Sequence, residues 1–305
     1  MKLLEGRVAI VTGGARGIGL AISEALAAQG ARLVIADNGS SISGADADAS
    51  FAEAAAQRLN AACFSEDIAA DGAAERLVAL AQSTFGAIDI VINNAAILRD
   101  AFIFKSNRAD FERVIATNLI APYALLAAAT PAMREQAKSG RAPGRIVNIV
   151  SSAGLVGNFG QSAYASAKAG LFGLTRVVAM DLARAGVRCN AVAPFAATRV
   201  TESIQPANDA QAAYKSQALR VPAHYVARLV AFLASNAHDI SGQLFGVRAR
   251  ELILFSQPRP ATRTLMKAGE AWDAAALKGL IDEELAPQFV DLATDLELFN
   301  NEPLV

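Results

Sequence analysis

Two observations predict an α/β fold, built on a doubly wound, parallel sheet of seven strands with a C-terminal extension. The chain begins with a short apolar run, a glycine-rich turn, a helical pattern and a second apolar run, which is the order of a parallel βαβ unit. This alternation of apolar runs and helix-length stretches then continues to residue 247. Seven strands with intervening helices are typical of a sheet that carries helices on both faces.

The first βαβ unit consists of two apolar runs that flank an amphipathic helix. Residues 8–11 are predicted as a buried strand that leads into the glycine-rich segment 12–19. The helix that follows repeats apolar residues at every fourth position and ends at Gly30, since glycine commonly ends helices. Residues 33–36 are predicted as the second strand.

The later elements follow from the same two periodicities. Continuous apolar runs predict buried strands, and apolar residues three or four positions apart predict helices. Pro222 suits the first turn of the last helix, where its missing N–H group costs nothing. Further strands are predicted at 62–64, 88–92, 145–150, 187–193 and 244–247, and further helices at 71–85, 109–137, 161–184 and 222–235.

Two segments lie outside this alternation. Residues 38–50 are small and polar and predict a mobile loop. Residues 251–305 extend beyond the domain predicted at 1–250, with an apolar run and a helical stretch near 273–285. Trp272 is expected to anchor this extension on the same domain or on a neighbouring subunit, because large apolar surfaces rarely stay exposed.

The composition argues against several classes of protein. Hydrophobic residues make up 53% of the chain, and the net charge of -1 offers no attraction to nucleic acid or an anionic membrane. No apolar run is long enough to cross a bilayer, so no membrane span is expected. Cys63 and Cys189 lie in unrelated segments, which indicates neither a disulfide framework nor a zinc site and fits a cytoplasmic protein. His224 and His238 lie beside no plausible ligand set, so no metal is expected.

The glycine-rich segment has the features of a dinucleotide-binding turn. Gly13, Gly17 and Gly19 let the backbone approach a pyrophosphate, and the helix N-terminus supplies N–H donors. A glycine turn that serves only packing is the alternative, against which the acidic residue at the end of the second strand argues. This residue, Asp37, suits the ribose hydroxyls of NAD, whereas Arg16 could attract the 2′-phosphate of NADP. We weigh Asp37 more heavily and expect NAD, because a carboxylate repels that phosphate.

A tyrosine and a lysine four residues apart predict a group that exchanges protons. Tyr164 and Lys168 share one face of a predicted helix, where the ammonium group would lower the tyrosine pKa towards neutral. Ser151 follows a strand at the sheet edge where ligands bind. An exposed tyrosine and lysine on an ordinary helix are the alternative. A phenol with a near-neutral pKa would serve as a general acid and base.

Five motifs together resemble the short-chain dehydrogenase/reductase family over about residues 5–248. In the family's order and spacing, they are the glycine segment, Asn93-Asn94-Ala95, Asn118, Ser151 and the pair Tyr164 and Lys168. The resemblance implies a Rossmann-type fold and an oxidoreductase that interconverts a secondary alcohol and a ketone. It also implies a homodimer or homotetramer.

The resemblance also implies roles for individual residues. Tyr164 would exchange a proton with the substrate oxygen, to which Ser151 would hydrogen-bond. Lys168 would bind the nicotinamide ribose, and Asn118 would hold a water molecule in a proton relay. The residues expected to bind the cofactor are Gly13, Arg16, Gly17, Ile18, Gly19, Asp37, Asp67, Ile68, Asn93, Ala95, Ala96, Tyr164, Lys168, Pro194 and Thr198.

Two positions depart from the family pattern. Ala96 stands where a glycine is usual and adds a methyl group near the cofactor. Phe195 replaces the usual glycine after Pro194, so the shape of this loop is expected to differ.

Three features resemble the (3R)-hydroxyacyl-CoA dehydrogenase module of multifunctional β-oxidation enzymes. They are the loop 93–100, the loop 193–202, and an insertion after Asp37 combined with the tail. We therefore expect an acyl-CoA substrate. A hydroxysteroid or general secondary-alcohol dehydrogenase is the alternative, and a non-catalytic dinucleotide sensor is the alternative of another class.

Two smaller groups of residues have simpler interpretations. Residues 102–104 are expected to line the substrate cleft or join the core. Arg248 and Arg250 are expected to be solvated, with contact to CoA phosphates as the alternative.

Overall fold

The computed structural model describes residues 2–203, 205–206, 208–256, 274–290, 292–299 and 302–303. The chain divides into two compact units. The first comprises Met1–Phe255 with Thr294–Val305, and the second is Ser256–Ala293. The last part of the chain is therefore part of the first unit.

The first unit is built on a single sheet in the order β3-β2-β1-β4-β5-β6-β7-β8. Seven neighbouring strands run parallel, as the continuous apolar runs predict, and β8 pairs antiparallel with β7. The strands are β1 (Val8–Thr12), β2 (Arg32–Ala36), β3 (Ala62–Phe64), β4 (Ile90–Asn93), β5 (Arg145–Ile149), β6 (Arg188–Phe195), β7 (Leu244–Arg248) and β8 (Glu251–Leu254). The order reverses between β1 and β4, where sheets of this kind open a ligand crevice at the carboxyl ends of their strands.

The eighth strand, β8, begins at Glu251, directly after the predicted end of the first domain at residue 250. A tight turn through Ala249, with φ 51, joins β7 to β8 and pairs Arg248 with Glu251. The apolar run after residue 250 therefore extends the sheet as an edge strand. Side chains of β8 alternate between partly buried and exposed positions, and Leu252 and Leu254 are the exposed ones.

Helices cover both faces of the sheet, and several of them were not predicted. The helix expected at 109–137 is observed as Arg108–Ile115 and Ala121–Lys138, joined without a break by a wider π turn at Ala116–Ile120. The α-helices are α1 (Gly17–Ala28), α2 (Ser50–Leu59), α3 (Ala73–Phe85), α4 (Arg108–Ile115), α5 (Ala121–Lys138), α6 (Ala153–Val156), α7 (Ser162–Asp181), α8 (Arg199–Ser203), α9 (Asp209–Ala218), α10 (His224–Leu233), α11 (Ala274–Leu280) and α12 (Asp295–Leu298). The unpredicted ones are α2, α6, α8, α9 and α12, which are short or rich in small and polar residues. The last predicted helix begins at His224, two residues after Pro222.

The sheet is buried between two apolar layers. One layer packs α3, α5 and α7 against the sheet, and the other packs α1 and α10 against it. By length and composition alone, Arg108–Lys138 is apolar enough to cross a membrane, with a mean hydropathy of 1.4 over its best window. In this fold 44% of that window is buried, and Leu125, Leu126 and Met133 belong to the first layer.

The loop after β2 forms hydrogen bonds to a neighbouring segment, and its predicted mobility stays a prediction. Leu98 N–H donates to the Ile42 carbonyl at 2.8 Å, and Arg99 Nε donates to the Ser43 carbonyl at 2.9 Å. The loop therefore packs against the segment that follows β4. Its small residues form local turns, and no sequence pattern indicated which segment it would contact.

The second unit contains a helical segment close to the predicted one. Helix α11 continues into a π turn at Ile281–Leu285 and a 3-10 turn at Ala286–Gln288. Trp272, expected to anchor the extension, lies outside the described residues.

Candidate active site

A cavity of about 820 Å³ opens at the carboxyl ends of the parallel strands. The glycine-rich turn, the ends of β2, β4, β5 and β6, and the first turns of α7 all contribute to its wall. The sheet's reversal at β1 and β4 places these segments around one crevice. The cavity thus gathers residues that are far apart in the sequence.

The glycine-rich turn has the close backbone approaches that a dinucleotide cradle requires. A Cβ atom on Gly13 would lie 2.8 Å from the Ala95 Cα atom, and one on Gly19 would lie 1.9 Å from the Gly13 carbonyl. Arg16 precedes α1 without capping it through its side chain, so the first N–H groups of the helix are left for a ligand. Side chains at these glycines would fill the turn, so the residues present fit a dinucleotide.

Asp37 closes β2 beside this turn, as predicted. Its carboxylate accepts hydrogen bonds from Ala15 N–H at 3.1 Å and Gly39 N–H at 2.8 Å. Arg16 Nη2 lies 3.7 Å from the same carboxylate and donates to the Ser40 carbonyl at 2.7 Å. The charge of Arg16 is therefore partly neutralised by Asp37.

The next part of the wall contains Asp67 and Ile68, also as predicted. Asp67 accepts a hydrogen bond from Ala69 N–H at 2.9 Å and forms an ion pair with Arg113 at 2.6 Å. Arg113 lines the cavity as well, and no feature of the sequence had indicated it. Its position on α4 brings it to Asp67 across 46 residues.

Two predicted site residues do not line the cavity. Asn93 is 2% exposed and donates to the Asn148 side chain at 2.8 Å, because the end of β4 turns it into the sheet. Its neighbour Asn94 lines the cavity instead and donates to the Thr12 and Gly13 carbonyls at 3.0 Å. Asn118 is fully buried in the π turn and binds both the N–H and the carbonyl of Ile97 at 2.9 Å. Both ends of the Asn118 side-chain amide are therefore engaged by Ile97. The water relay expected at Asn118 stays a prediction.

The remaining predicted residues meet around the cavity. It is lined by Gly13, Arg16, Gly17, Ile18, Gly19, Asp37, Asp67, Ile68, Ala95, Ala96, Ser151, Tyr164, Lys168, Pro194 and Thr198.

The tyrosine and lysine occupy the inner end of the cavity on α7. Lys168 is 2% exposed, and its Nζ atom donates to the Ile149 carbonyl at 2.7 Å. The same atom lies 5.7 Å from the centre of the Tyr164 ring, where an ammonium group interacts with the aromatic face. Ser151 follows β5 and accepts a hydrogen bond from Ala153 N–H at 3.2 Å. The three side chains therefore converge as the motif predicted.

The expected lowering of the Tyr164 pKa is contradicted. Burial raises the pKa of Tyr164 to about 12, hydrogen bonding to Ser151 lowers it in part, and the carboxylates of Asp295 and Asp100 raise it further. Burial also lowers the pKa of Lys168 to about 8, because the charged form loses its hydration. Spacing of four residues brings the two groups together, but loss of hydration has the largest effect on the pKa of each.

The C-terminal segment accounts for the unusual Phe195 at the end of β6. This residue is 3% exposed, and its ring lies 4.6 Å from the ring of Phe299, with the planes tilted by 51°. Arg248 donates to the Phe299 carbonyl at 2.9 Å and forms an ion pair with Glu251. Arg248 is buried, so the solvated state expected for it is not observed, whereas Arg250 is exposed as expected. The C-terminal segment thus packs on Phe195, the residue that stands at the family's usual glycine position.

The substrate side of the cavity contains residues that the sequence analysis missed. They share no motif and come from the segment after β4, from α9 and from α12; they are Asp100, Gln211, Tyr214, Asp295 and Leu296. Phe102 lines the cavity as expected, whereas Ile103 and Phe104 are 73% and 77% exposed and join neither cleft nor core. Among the described residues, no group of three potential metal ligands is found.

Comparisons with known proteins agree with this geometry. A sequence model described as short chain dehydrogenase matches residues 7–211. The chain is 37% identical to hydroxyacyl-CoA dehydrogenase ChsB1 of Mycobacterium tuberculosis over 302 residues, which covers 96% of this chain and 94% of that protein. It is also 37% identical to (3R)-3-hydroxyacyl-CoA dehydrogenase of Mus musculus, over 79% of this chain and 97% of that protein.

A solved structure shows the same fold over almost the whole chain. The crystal structure of a short chain dehydrogenase from Mycobacterium avium matches with a TM-score of 0.79 and 32% identity. The match covers 96% of this chain and 98% of that one. The chain therefore belongs to the short-chain dehydrogenase/reductase family and is an oxidoreductase.

Proposed function

We propose that the protein is an NAD-dependent dehydrogenase of 3-hydroxyacyl-CoA thioesters. The observation that carries the proposal is the meeting of a dinucleotide cradle with Ser151, Tyr164 and Lys168 in one cavity. The acyl-CoA class is supported by two relatives that are named as hydroxyacyl-CoA dehydrogenases. One of them is similar over 96% of this chain and 94% of its own length.

The proposed reaction separates the movement of a proton from that of a hydride. Ser151 and Tyr164 bind the substrate oxygen, and Tyr164 takes its proton as the carbon–oxygen double bond forms. When bound, the nicotinamide supplies the acceptor for the hydride that leaves the same carbon. In the reverse direction Tyr164 returns the proton to the oxygen of the reduced product.

Lys168 assists Tyr164 from a position over the face of its ring. Its ammonium group stabilises a phenolate, although burial disfavours both charged forms when each is considered alone. Proton release and charge therefore belong to the pair, whose apparent pKa values are shared. We expect alcohol oxidation to rise with pH through the apparent pKa of this pair.

NAD is proposed over NADP from the contacts of Asp37. This carboxylate stands at the end of β2 and pairs with Arg16, which leaves less positive charge for a 2′-phosphate. We expect a higher kcat/KM with NAD, and Asp37→Ala should reduce the preference by about 10-fold or more, since like charges in a site cost several kcal/mol. Equal or better use of NADP by the wild type would assign the phosphate to Arg16 and to Arg199, which reaches the same Ser40 carbonyl.

The substrate class is tested by a panel followed through NADH absorbance. It contains 3-hydroxyacyl-CoA esters of both configurations, the matching free 3-hydroxy acids, simple secondary alcohols and hydroxysteroids. We expect the highest kcat/KM for a CoA ester, and Tyr164→Phe should lower kcat by about 10²-fold or more while it binds NAD normally.

Each other outcome of this panel points to a different function. A hydroxysteroid or plain alcohol turned over faster than every CoA ester would replace the proposed substrate. NAD binding without turnover of any alcohol would make the protein a dinucleotide sensor and overturn the enzymatic proposal.

A further inference from the structure

The C-terminal segment inserts a carboxyl group into the wall of the active-site cavity. Asp295, the first residue of α12, is 6% exposed and lines this cavity together with Tyr164 and Tyr214. Thr294, which precedes Asp295, and Glu297, which follows it, form a reciprocal capping box that fixes the start of the helix. Asp295 is therefore held in place by its own helix as well as by its surroundings.

Two hydrogen bonds attach Asp295 to the loop that carries Ser151. Ser152 Oγ donates to Asp295 Oδ2 at 2.8 Å, and Asp295 N–H donates to the Gly157 carbonyl at 3.2 Å. The first bond is fully buried and joins residues 143 positions apart. Both ends of the short helix α6 are thereby tied to α12, and Ser151 directly precedes this tied segment.

The second oxygen of Asp295 is held in an unfavourable state. Burial raises the pKa of the carboxyl group, whereas hydrogen bonding to Ser152 and to the backbone of Leu296 and Asp295 lowers it in part. Oδ1 is buried and makes no hydrogen bond of ordinary geometry to the described residues. A buried carboxyl oxygen without a well-formed hydrogen bond is uncommon and costly, so its retention calls for an explanation. A hydrophobic residue would pack here without that cost, but it would not hold Ser152.

The carboxyl group also affects the tyrosines of the cavity. Its charge raises the pKa of Tyr164 and of Tyr214. The other ionisable groups near these tyrosines are Asp100, whose charge acts on Tyr164 in the same direction, Arg248, which opposes it at Tyr214, and Lys168 on α7.

We propose that Asp295 is a positioning residue of the active site, which anchors the loop carrying Ser151 and places a buried carboxyl group near Tyr164. The C-terminal segment therefore contributes directly to the geometry of the active site. The proposal rests on the proposed dehydrogenase activity, but it requires no particular acyl group.

Three variants separate the anchoring from the charge. Asp295→Asn keeps an oxygen that can accept from Ser152 and removes the charge. Ser152→Ala keeps the charge and removes the anchor, and Asp295→Ala removes both. Asp239→Ala is the matched control, because this exposed carboxylate pairs with Arg188 at the opposite end of β6.

Kinetics with 3-hydroxybutyryl-CoA give the first readout. Asp295→Ala and Ser152→Ala should lower kcat by about 10-fold or more, since a small displacement of a reacting group is costly. NAD affinity should change less than about 2-fold. Asp295→Asn should keep most of kcat, and its pH profile for oxidation should move to lower pH because Tyr164 loses a neighbouring negative charge. A wild-type kcat and pH profile in Asp295→Ala would overturn the proposal.

Hydrogen exchange measured by mass spectrometry gives a readout that needs no activity. Exchange over residues 152–157 should rise in Asp295→Ala and Ser152→Ala and stay unchanged in Asp295→Asn and Asp239→Ala. Unchanged exchange in all four variants would contradict the anchor. If the wild type did not oxidise the thioester, the proposed substrate would fail, and this measurement would still decide the role of Asp295.

Discussion

Lys168 is a buried cation at the wall of the active-site cavity. It is 2% exposed, its described hydrogen bond goes to the Ile149 carbonyl, and burial lowers its pKa from 10.5 to about 8. The protonated lysine thus costs free energy in the folded state, whereas the unfolded chain hydrates it fully. Such a cost at a site residue is consistent with a role that requires the charge near Tyr164.

This cost predicts a pH-dependent stability. The folded state binds fewer protons than the unfolded state between about pH 8 and 10.5, so the free energy of unfolding gains from rising pH in that window. Compared with Lys168→Met, the wild type should gain up to about 3 kcal/mol across it. Urea unfolding of both proteins without dinucleotide at pH 7.5, 9 and 10 measures the difference. If the difference in unfolding free energy between the two proteins did not change with pH, the lowered pKa of Lys168 would be refuted.

At the scale of elements, the C-terminal segment packs against the end of β6 and the residue that follows β8. Phe299 contacts Phe195 at 4.6 Å and Phe255 at 6.2 Å between ring centres. Arg248 holds the Phe299 carbonyl, and Arg220 pairs with Glu302. The substitution of phenylalanine for the family's glycine is matched by this segment, which provides the aromatic partner.

A double-mutant cycle tests the pairing of Phe195 with Phe299. Each single alanine variant should destabilise the protein by about 3–5 kcal/mol, as expected for truncation of a packed phenylalanine. The double variant should destabilise it by about 1 kcal/mol less than their sum, since tilted aromatic pairs contribute that much beyond burial. Unfolding by denaturant gives all three values, and strict additivity would show that the rings do not interact.

At the scale of the whole molecule, the central sheet was predictable because buried parallel strands are continuous apolar runs. All seven parallel strands lie within two residues of their predicted limits, and the glycine turn and the Tyr164 and Lys168 pair follow from local spacing. Contacts such as Ser152 with Asp295 span 143 residues and leave no sequence pattern. The pKa of Tyr164 was predicted in the wrong direction because burial, which dominates it, depends on the completed fold.

Exposed apolar side chains predict that the protein associates with itself. On the helical segment Arg108–Lys138, Ile120 and Tyr123 are 55% and 59% exposed, and on α7, Val177 and Met180 are 54% and 73% exposed. We expect a dimer or tetramer of the 31.7 kDa chain by light scattering. Val177→Glu with Met180→Glu should reduce the mass, and Leu3→Glu, on another exposed apolar residue, should not. A wild type that is monomeric at micromolar concentration would contradict this expectation.

Transfer of hydrogen from the substrate carbon tests the central claim most directly. The wild type is incubated with NAD and 3-hydroxybutyryl-CoA that carries deuterium on the carbon bearing the hydroxyl group, and the reduced dinucleotide is analysed by mass spectrometry. The account predicts singly deuterated NADH with the wild type and less than about a hundredth of that rate with Tyr164→Phe. Reduced dinucleotide without deuterium, or a Tyr164→Phe protein that keeps more than about a tenth of the rate, would contradict the account.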